Sequence, residues 1–162
     1  MKILIVSDTH RKDDNLKQVI EEEKPLDMLI HLGDSEGSEV LIGEWVNEGC
    51  RLEMVMGNND FFSSLDRELE LELRGHRILL THGHYYNVSL GIEGIYQEAL
   101  DRECDIAMYG HTHRPFLEER GGITILNPGS LSYPRQEGRK PSYMIMYMEE
   151  DGSVRYERHF VS

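Results

Sequence analysis

Apolar and polar positions along the first sixty residues follow the order of a β-α-β-α-β segment. Short apolar runs at residues 2–6, 27–32 and 52–56 have the length and composition of buried strands. Between them, helices are predicted from Asp13 or Asp14 to about residue 23, ahead of Pro25, and from about residue 38 to residue 47, ahead of Gly49. Strands joined by helical crossovers pair in parallel. This segment therefore predicts a parallel sheet.

The pattern changes after residue 64. Leucines alternate with glutamates between residues 65 and 73, which is the period of a strand with one solvated face. One helix is predicted from about residue 90 to residue 102, with Ser89 as its cap. Further strands are predicted at residues 78–81, 104–109, 116–119, 123–126, 142–149 and 154–160. Two mixed β-sheets with helices on their outer faces accommodate this order, and 162 residues fit a single domain.

Composition narrows the class of partner and the compartment. A net charge of −13 disfavours binding along duplex nucleic acid, although it does not oppose a small phosphate ester at a metal site. No apolar run approaches the roughly 18 residues that a membrane-spanning helix needs. The chain opens directly into a strand, and its two cysteines, Cys50 and Cys104, lack a C-x-x-C spacing. We therefore expect a cytoplasmic protein with reduced thiols and no membrane partner.

Five short polar clusters each follow a predicted strand. They are Asp8-Thr9-His10, Gly33-Asp34, Gly57-Asn58-Asn59-Asp60, His82-Gly83-His84 and Gly110-His111-Thr112-His113. The carboxyl ends of strands in an open α/β sheet share one edge, so these side chains are expected to converge there. Hard oxygens mixed with imidazoles suit a hydrolytic divalent metal site better than a thiolate zinc site.

The order D-x-H, GD, GN-x-D, H and GH-x-H between residues 8 and 113 resembles that of the calcineurin-like metallophosphoesterases. The segment 127–130, NPGS, resembles the small bacterial and archaeal phosphodiesterases of that superfamily. This resemblance implies an α/β fold that forms a four-layer αββα sandwich. It also implies two divalent metal ions per chain, the first held by Asp8, His10 and His113, the second by Asn58, His82 and His111, with Asp34 as the bridging ligand. Manganese is the expected metal, and nickel, iron, zinc or cobalt would also suit such ligands.

The activity that the resemblance implies is hydrolysis of a small phosphodiester or nucleotide by a hydroxide shared between the two ions. Asp34, Asn58 and His84 are the predicted catalytic residues, although His84 could instead only brace its loop. Two alternatives stay open. One is a phosphomonoesterase, including a protein phosphatase, and the other is a non-catalytic scaffold like the retromer subunit of the same fold. Compact relatives often form dimers, so a homodimer is a further expectation.

One position departs from the family pattern. Many metallophosphoesterases have a histidine directly after the ligand asparagine, and that histidine can assist the leaving group, whereas this chain has Asn59. An amide cannot act as a proton donor of useful acidity. The sequence therefore predicts a preference for diesters with good leaving groups, unless His84 donates the proton instead.

Several other residues have two readings each. Asp60 is expected to orient a ligand more than to cap a turn. Residues 127–130 could form only a turn or could support the rim of the site. Three arginines are candidates for phosphate contact or ordinary surface residues: Arg11, Arg114 and Arg135. Three histidines are expected to lie outside the site, His31 in the core and His76 and His159 at the surface or in turns.

Overall fold

The computed structural model describes all 162 residues, which form ten strands and three α-helices. The strands are β1 (Lys2–Val6), β2 (Met28–His31), β3 (Arg51–Met54), β4 (Glu68–Leu73), β5 (His76–Thr81), β6 (Ile106–Met108), β7 (Pro115–Arg120), β8 (Ile123–Pro128), β9 (Ser142–Met148) and β10 (Val154–Phe160). The helices are α1 (Asp14–Glu23), α2 (Glu39–Trp45) and α3 (Glu93–Asp101). None of the helices has the length and apolar character that crossing a membrane requires.

Two mixed five-stranded sheets contain all ten strands. The first sheet has the order β10-β9-β1-β2-β3, with β1, β2 and β3 parallel as the β-α-β-α-β pattern predicts. The second has the order β4-β5-β6-β8-β7, in which β5, β6 and β8 are parallel. Antiparallel hairpins extend the sheets through β9 and β10 and through the edge strands β4 and β7. The parallel strands of each sheet end at one edge.

Three apolar clusters separate the layers. The largest lies between the sheets and includes Ile5 from β1 and Leu80 from β5, both fully buried. On the outer face of the first sheet, Leu16 and Ile20 of α1 pack in a second cluster with residues of β1 and β2. Helix α3 covers the outer face of the second sheet through a third cluster. The helix–sheet–sheet–helix order confirms the predicted four-layer αββα sandwich.

The start of α3 differs from the sequence prediction. The helix begins at Glu93 and not after Ser89, because Gly91 has a φ of 146° that no α-helix contains. The preceding residues form a short 3-10 turn over His84–Tyr86, and Asn87 then adopts a left-handed conformation with a φ of 53°. The segment 87–92 is therefore a loop that follows this short turn.

Candidate metal centre

The predicted ligands meet at the carboxyl edge of the parallel strands. The Nε2 atom of His113 lies 3.3 Å from the Oδ1 atom of Asp8 and 3.2 Å from the Nε2 atom of His10. These three residues can place one donor atom each around a single ion. The sequence prediction of a converging D-x-H and H-x-H pair therefore agrees with the geometry.

A second group of donors lies next to the first. The Nδ1 atom of His111 is 3.2 Å from the Oδ1 atom of Asn58 and 3.3 Å from the Nε2 atom of His82. The Oδ2 atom of Asp34 lies 3.3 Å from the Nε2 atom of His82 and 3.7 Å from the Nε2 atom of His10. The carboxylate of Asp34 therefore lies between the two groups of donors.

Hydrogen bonds at the opposite ring nitrogen orient three of the histidines. The Nδ1 atom of His10 is 3.0 Å from the Oε2 atom of Glu36, and the Nδ1 atom of His82 is 2.7 Å from the carbonyl oxygen of Leu32. The Nδ1 atom of His113 is 2.6 Å from the carbonyl oxygen of Tyr133. Because these oxygens accept the Nδ1 proton, each Nε2 atom can present its lone pair to a metal ion.

Asp8 supplies the clearest sign that the donors suit a cation. Its side chain is fully buried, and its Oδ2 atom accepts hydrogen bonds from the Ser7 hydroxyl at 2.6 Å and the His111 amide at 3.0 Å. The Oδ1 atom is buried without any hydrogen-bond partner. An unpaired buried carboxylate oxygen is costly within the protein alone. A metal ion at the Asp8–His10–His113 group would satisfy it, so the residues fit a metal.

The ionisation of the carboxylates and of His82 is coupled. Burial alone would raise the pKa of Asp8 and of Asp34. His82 and His113 near Asp8, and His82 with the Asn59 amides near Asp34, together outweigh burial and lower both pKa values. Burial would likewise lower the pKa of His82, whereas the negative charges of Asp8 and Asp34 raise it to about 9. The pocket thus favours charged carboxylates and attracts positive charge, whether a proton or a metal ion.

The backbone at the ligands is strained. Five of the predicted ligands have a left-handed φ: Asp8 at 56°, His10 at 48°, Asp34 at 59°, His111 at 70° and His113 at 59°. This conformation costs on the order of 1 kcal/mol or more for a residue with a Cβ atom and concentrates at functional sites. Backbone hydrogen bonds between adjacent loops hold it, including one of 2.8 Å from the His10 amide to the Asp34 carbonyl.

Asp60 anchors the loop that carries Asp34. Its Oδ2 atom accepts hydrogen bonds from the amides of Asp34 at 2.8 Å and Gly57 at 2.7 Å, and its Oδ1 atom accepts one from the Glu36 amide at 2.6 Å. A side chain at Gly57 would collide with the Asp34 carboxylate. Asp60 therefore has the orienting position that the sequence suggested.

The segment 127–130 holds two of the ligand loops by hydrogen bonds. The Asn127 amide donates to the carbonyl oxygen of Gly110 at 3.0 Å and to the hydroxyl of Thr112 at 2.9 Å. The Ser130 hydroxyl donates to the carbonyl oxygen of Asp8 at 2.8 Å. These bonds tie the GH-x-H loop and the D-x-H loop to one segment, so its function is more than that of a turn.

The remaining predicted residues take varied positions. His84 lies beside the cluster, with its ring centroid 5.4 Å from that of His82 and 6.0 Å from that of His111. Asn59 donates from its backbone and side-chain amides to the two carboxylate oxygens of Asp34, at 2.8 and 3.0 Å. His31 is fully buried, as predicted, and lies 2.9 Å from the Thr9 hydroxyl.

The two histidines expected in surface or turn positions are partly buried. His76 contacts Asp105 and the carbonyl oxygen of Gly152 in the β9–β10 turn. His159 stacks on the ring of Tyr143 with centroids 5.0 Å apart. Both therefore lie outside the site.

Four residues at the site were missed by sequence reasoning. Glu36 and Ser7 bond to ligand side chains, and Leu32 and Tyr133 contribute only their backbone carbonyls. Ser7 directly precedes the D-x-H cluster, and Glu36 closely follows the GD cluster, so position relative to a motif was the available signal. A backbone carbonyl leaves no signal in residue identity.

A two-sheet sandwich with these ligand loops at one edge is the architecture of metal-dependent phosphoesterases. The sequence profile of the calcineurin-like phosphoesterase superfamily domain matches residues 1–151, so the chain belongs to this superfamily. The chain is 32% identical over 158 residues to the probable metallophosphoesterase YsnB of Bacillus subtilis, covering 95% of this chain and 88% of the relative.

Two further comparisons agree. The phosphodiesterase YfcE of Escherichia coli K12 is 32% identical over an alignment of 170 positions, gaps included, that covers 90% of this chain and 87% of the relative. The crystal structure of a predicted phosphoesterase from Streptococcus pneumoniae superposes with a TM-score of 0.77 at 27% identity, covering 99% of this chain and 97% of that one. Similarity therefore extends over nearly the whole chain.

Proposed function

We propose that this protein is a dinuclear metal-dependent phosphodiesterase that hydrolyses a small phosphodiester or nucleotide. The observation that carries the proposal is the position of the Asp34 Oδ2 atom, 3.7 Å from a donor of the first group and 3.3 Å from a donor of the second. A carboxylate can bridge two cations and reduce their mutual repulsion. The name of the relative YfcE, a phosphodiesterase, supports a diester as substrate.

In this proposal, Asp8, His10 and His113 hold the first ion, Asn58, His82 and His111 hold the second, and Asp34 bridges them. Manganese is the proposed metal, because imidazole, amide and carboxylate donors together suit it. Two bound ions supply an acidified water and a clamp for the phosphate oxygens. Hydrogen bonds that the histidine Nδ1–H groups donate to Glu36, Leu32 and Tyr133 keep the rings in the ligating orientation.

Asn59 supports a preference for good leaving groups. Both of its amides donate to Asp34, so position 59 holds the bridging carboxylate and supplies no proton. A positioned general acid contributes about 10²–10⁴ in rate. Turnover of aryl diesters should therefore fall steeply as the leaving-group pKa rises, and Asn59→His should flatten this dependence. His84 is the alternative donor, and His84→Ala would steepen the dependence if His84 were the acid.

The alternatives make different demands on the chain. A scaffold needs no ligands, whereas all seven predicted ligand side chains converge here. A phosphomonoesterase would use the same metal site. Whether the leaving group receives a proton decides between a diester and a monoester as substrate.

We further propose that the protein acts in the cytoplasm, which its free thiols, Cys50 and Cys104, support. The homodimer stays a prediction that light scattering can test.

The test is a screen of matched aryl phosphodiesters and aryl phosphomonoesters against manganese, nickel, iron, zinc and cobalt. We expect turnover that requires an added divalent ion, is abolished by EDTA, and is faster with the diester than with the monoester. Faster turnover of the monoester would favour the phosphomonoesterase. Absence of metal-dependent turnover with every substrate would favour the scaffold.

A further inference from the structure

A cavity of about 590 Å³ lies beside the loop that carries His111 and His113. The loop ahead of α3 and the start of β7 form its walls. Val88, Ile92, Tyr109 and Phe116 supply apolar surface. Such a mixture of aliphatic and aromatic surface is typical of small-molecule sites in general.

The cavity is positively charged in an acidic protein. Its lining contains Arg114 and Arg135 and no carboxylate, although the chain has 30 acidic residues. A cavity at another face, beside β3, has the reverse character, with Glu39, Glu53 and Asp66 and no basic residue. The local field of the first cavity therefore attracts anions despite the net charge of −13.

The two arginines differ from five of the ten other arginines in the chain. Arg51, Arg77, Arg102, Arg120 and Arg155 each form an ion pair with a glutamate. Arg114 and Arg135 are exposed and have no carboxylate partner, so their guanidinium groups are available to a ligand. Guanidinium binds phosphate through two parallel hydrogen bonds, which gives geometric selectivity for such an anion.

Arg135 connects this cavity to the metal centre. It also lines a neighbouring cavity of about 540 Å³ whose walls include His10 and His113. The Arg135 amide donates to the carbonyl oxygen of His113 at 3.0 Å. The Arg114 amide donates at 3.2 Å to the Thr112 hydroxyl, which Asn127 fixes in turn. Both arginines are thus anchored to the loop of proposed metal ligands.

We propose that the cavity lined by Arg114 and Arg135 is a substrate subsite for a second anionic group joined to a planar ring. This proposal rests on the proposed phosphodiesterase function, because it places the scissile phosphate at His10 and His113. The substrate class is then a phosphodiester with one nucleotide arm that bears a further phosphate. The arginines bind that phosphate, and the apolar wall covers the base.

The kinetic test compares two aryl diesters that differ only in the second anionic group. Thymidine 5′-(4-nitrophenyl phosphate) and its 3′-phosphorylated form share one leaving group, so their kcat/KM ratio reports the extra phosphate. We expect the manganese-loaded wild type to favour the 3′-phosphorylated form by about ten- to hundredfold, the usual effect of a hydrogen bond to a charged group. Arg114→Gln with Arg135→Gln should reduce the ratio to about one.

A control at Arg158 and a pair of charge variants at Leu90 separate phosphate binding in the cavity from the effect of total charge. Arg158→Gln removes the same charge from an exposed arginine on β10 and should preserve the ratio. Leu90 lines the cavity and is 90% exposed, so substitution there should preserve the fold. Leu90→Glu should lower the ratio, whereas Leu90→Lys should keep or raise it.

A binding measurement makes the outcome independent of turnover. In EDTA, calorimetry on the full chain should show thymidine 3′-monophosphate binding at least about tenfold tighter than thymidine, with the difference lost in the double arginine variant. Equal loss of kcat/KM on both diesters would instead assign the arginines to the scissile phosphate and overturn the subsite. Nucleotide binding combined with a wild-type ratio of one would also overturn it.

Failure of the proposed function gives a different result. If no diester is hydrolysed with any metal, the phosphodiesterase assignment and the substrate subsite fall together. Arginine-dependent binding of the nucleotide in EDTA would then still assign an anionic ligand to the cavity. Absence of binding would show that the cavity is not an anion site.

Discussion

Left-handed backbone occurs at both ends of the parallel strands, but the residues that adopt it differ. At the carboxyl end, five aspartates and histidines of the metal centre have positive φ. At the opposite end, Gly75, Gly122 and Gly152 provide it in the three hairpin turns, and two residues with a Cβ atom, Arg74 and Glu103, adopt it as well. Glycine adopts this conformation without a Cβ penalty, whereas Asp and His do not. The metal centre therefore concentrates backbone that lowers stability, whereas most left-handed positions at the opposite end are glycines.

The two ends also differ in how polar groups are buried. Asp8, Asp34, His82 and Asn127 are buried at the carboxyl end, and one oxygen of Asp8 has no partner. Polar groups at the opposite end, such as Asp105 and Asp151, are less buried and hydrogen-bonded. Substitutions at the carboxyl end should therefore change activity more than stability, and substitutions at the opposite end should do the reverse.

The largest difference should come from one isosteric change made at each end. Asp34→Asn removes the bridging charge, and we expect kcat to fall by about 10³ or more, since metal stabilisation of the transition state amounts to several kcal/mol. Asp151→Asn is the control, because Asp151 is exposed in the β9–β10 turn and bonds only Ser153. It should leave kcat unchanged. Circular dichroism should show both variants folded, and equal activity of the two would contradict the comparison.

Substitutions should distinguish a glycine that lets two loops pack closely from a glycine that only allows a left-handed φ. A Cβ atom at Gly110 would collide with the Ser7 hydroxyl and press on the Asp8 carboxylate. We expect Gly110→Ala to lower kcat/KM by about 10², because small displacements of reacting groups have effects of this size. Gly49 has a φ of 86° and open space around its Cβ direction. Gly49→Ala should lower the free energy of unfolding by about 1 kcal/mol and spare activity.

Two asparagines provide a matched pair with a smaller effect. Asn127 holds the GH-x-H loop, whereas Asn47 holds the amide and carbonyl of Leu26 just ahead of β2. Asn127→Ala should lower kcat/KM by about 10–100-fold, as for other residues that orient metal ligands. Asn47→Ala should instead lower the free energy of unfolding by about 1–3 kcal/mol at unchanged kcat. Steady-state kinetics and urea unfolding should be measured on both variants. Equal losses of activity, or equal losses of stability, in the two variants would contradict the predicted difference between the two ends.

The smallest predicted effect is a pH dependence of stability at the opposite end. The hydrogen bond to the Gly152 carbonyl raises the pKa of His76 against the lowering by burial, and Asp105 raises it further. Protonated His76 therefore stabilises the folded state fully below the unfolded pKa of about 6.5, and this contribution is lost as pH rises through the higher folded-state pKa. His76→Gln should lower the free energy of unfolding more at pH 5.5 than at pH 9. A deficit that is constant across this range would contradict the assignment.

The sequence predicted most of the carboxyl end because its signals are local. Each ligand cluster directly follows an apolar strand, so strand order alone places Asp8, Asp34 and His82 at one edge. The left-handed φ values had no such signal, because they arise from hydrogen bonds between loops distant in sequence. For the same reason the carbonyl of Tyr133 could not be found from residue types.

Local patterns were less reliable where tertiary packing decides. Ser89 and the apolar residues after it fit a helix start, yet Gly91 and the left-handed Asn87 delay α3 to Glu93. The alternation from residue 65 likewise exceeds the strand, since β4 pairs with β5 only from Glu68 onwards. Such boundaries depend on the residues that a segment packs against or pairs with. Because those residues lie elsewhere in the chain, the sequence of the segment alone does not fix where the element begins.

The most direct test of the central proposal is a crystal grown with excess manganese, with anomalous diffraction measured on both sides of the manganese edge. We expect two manganese peaks per chain on either side of the Asp34 carboxylate, one near Asp8, His10 and His113 and the other near Asn58, His82 and His111. A single peak, or no peak next to Asp34, would contradict a dinuclear centre bridged by that residue.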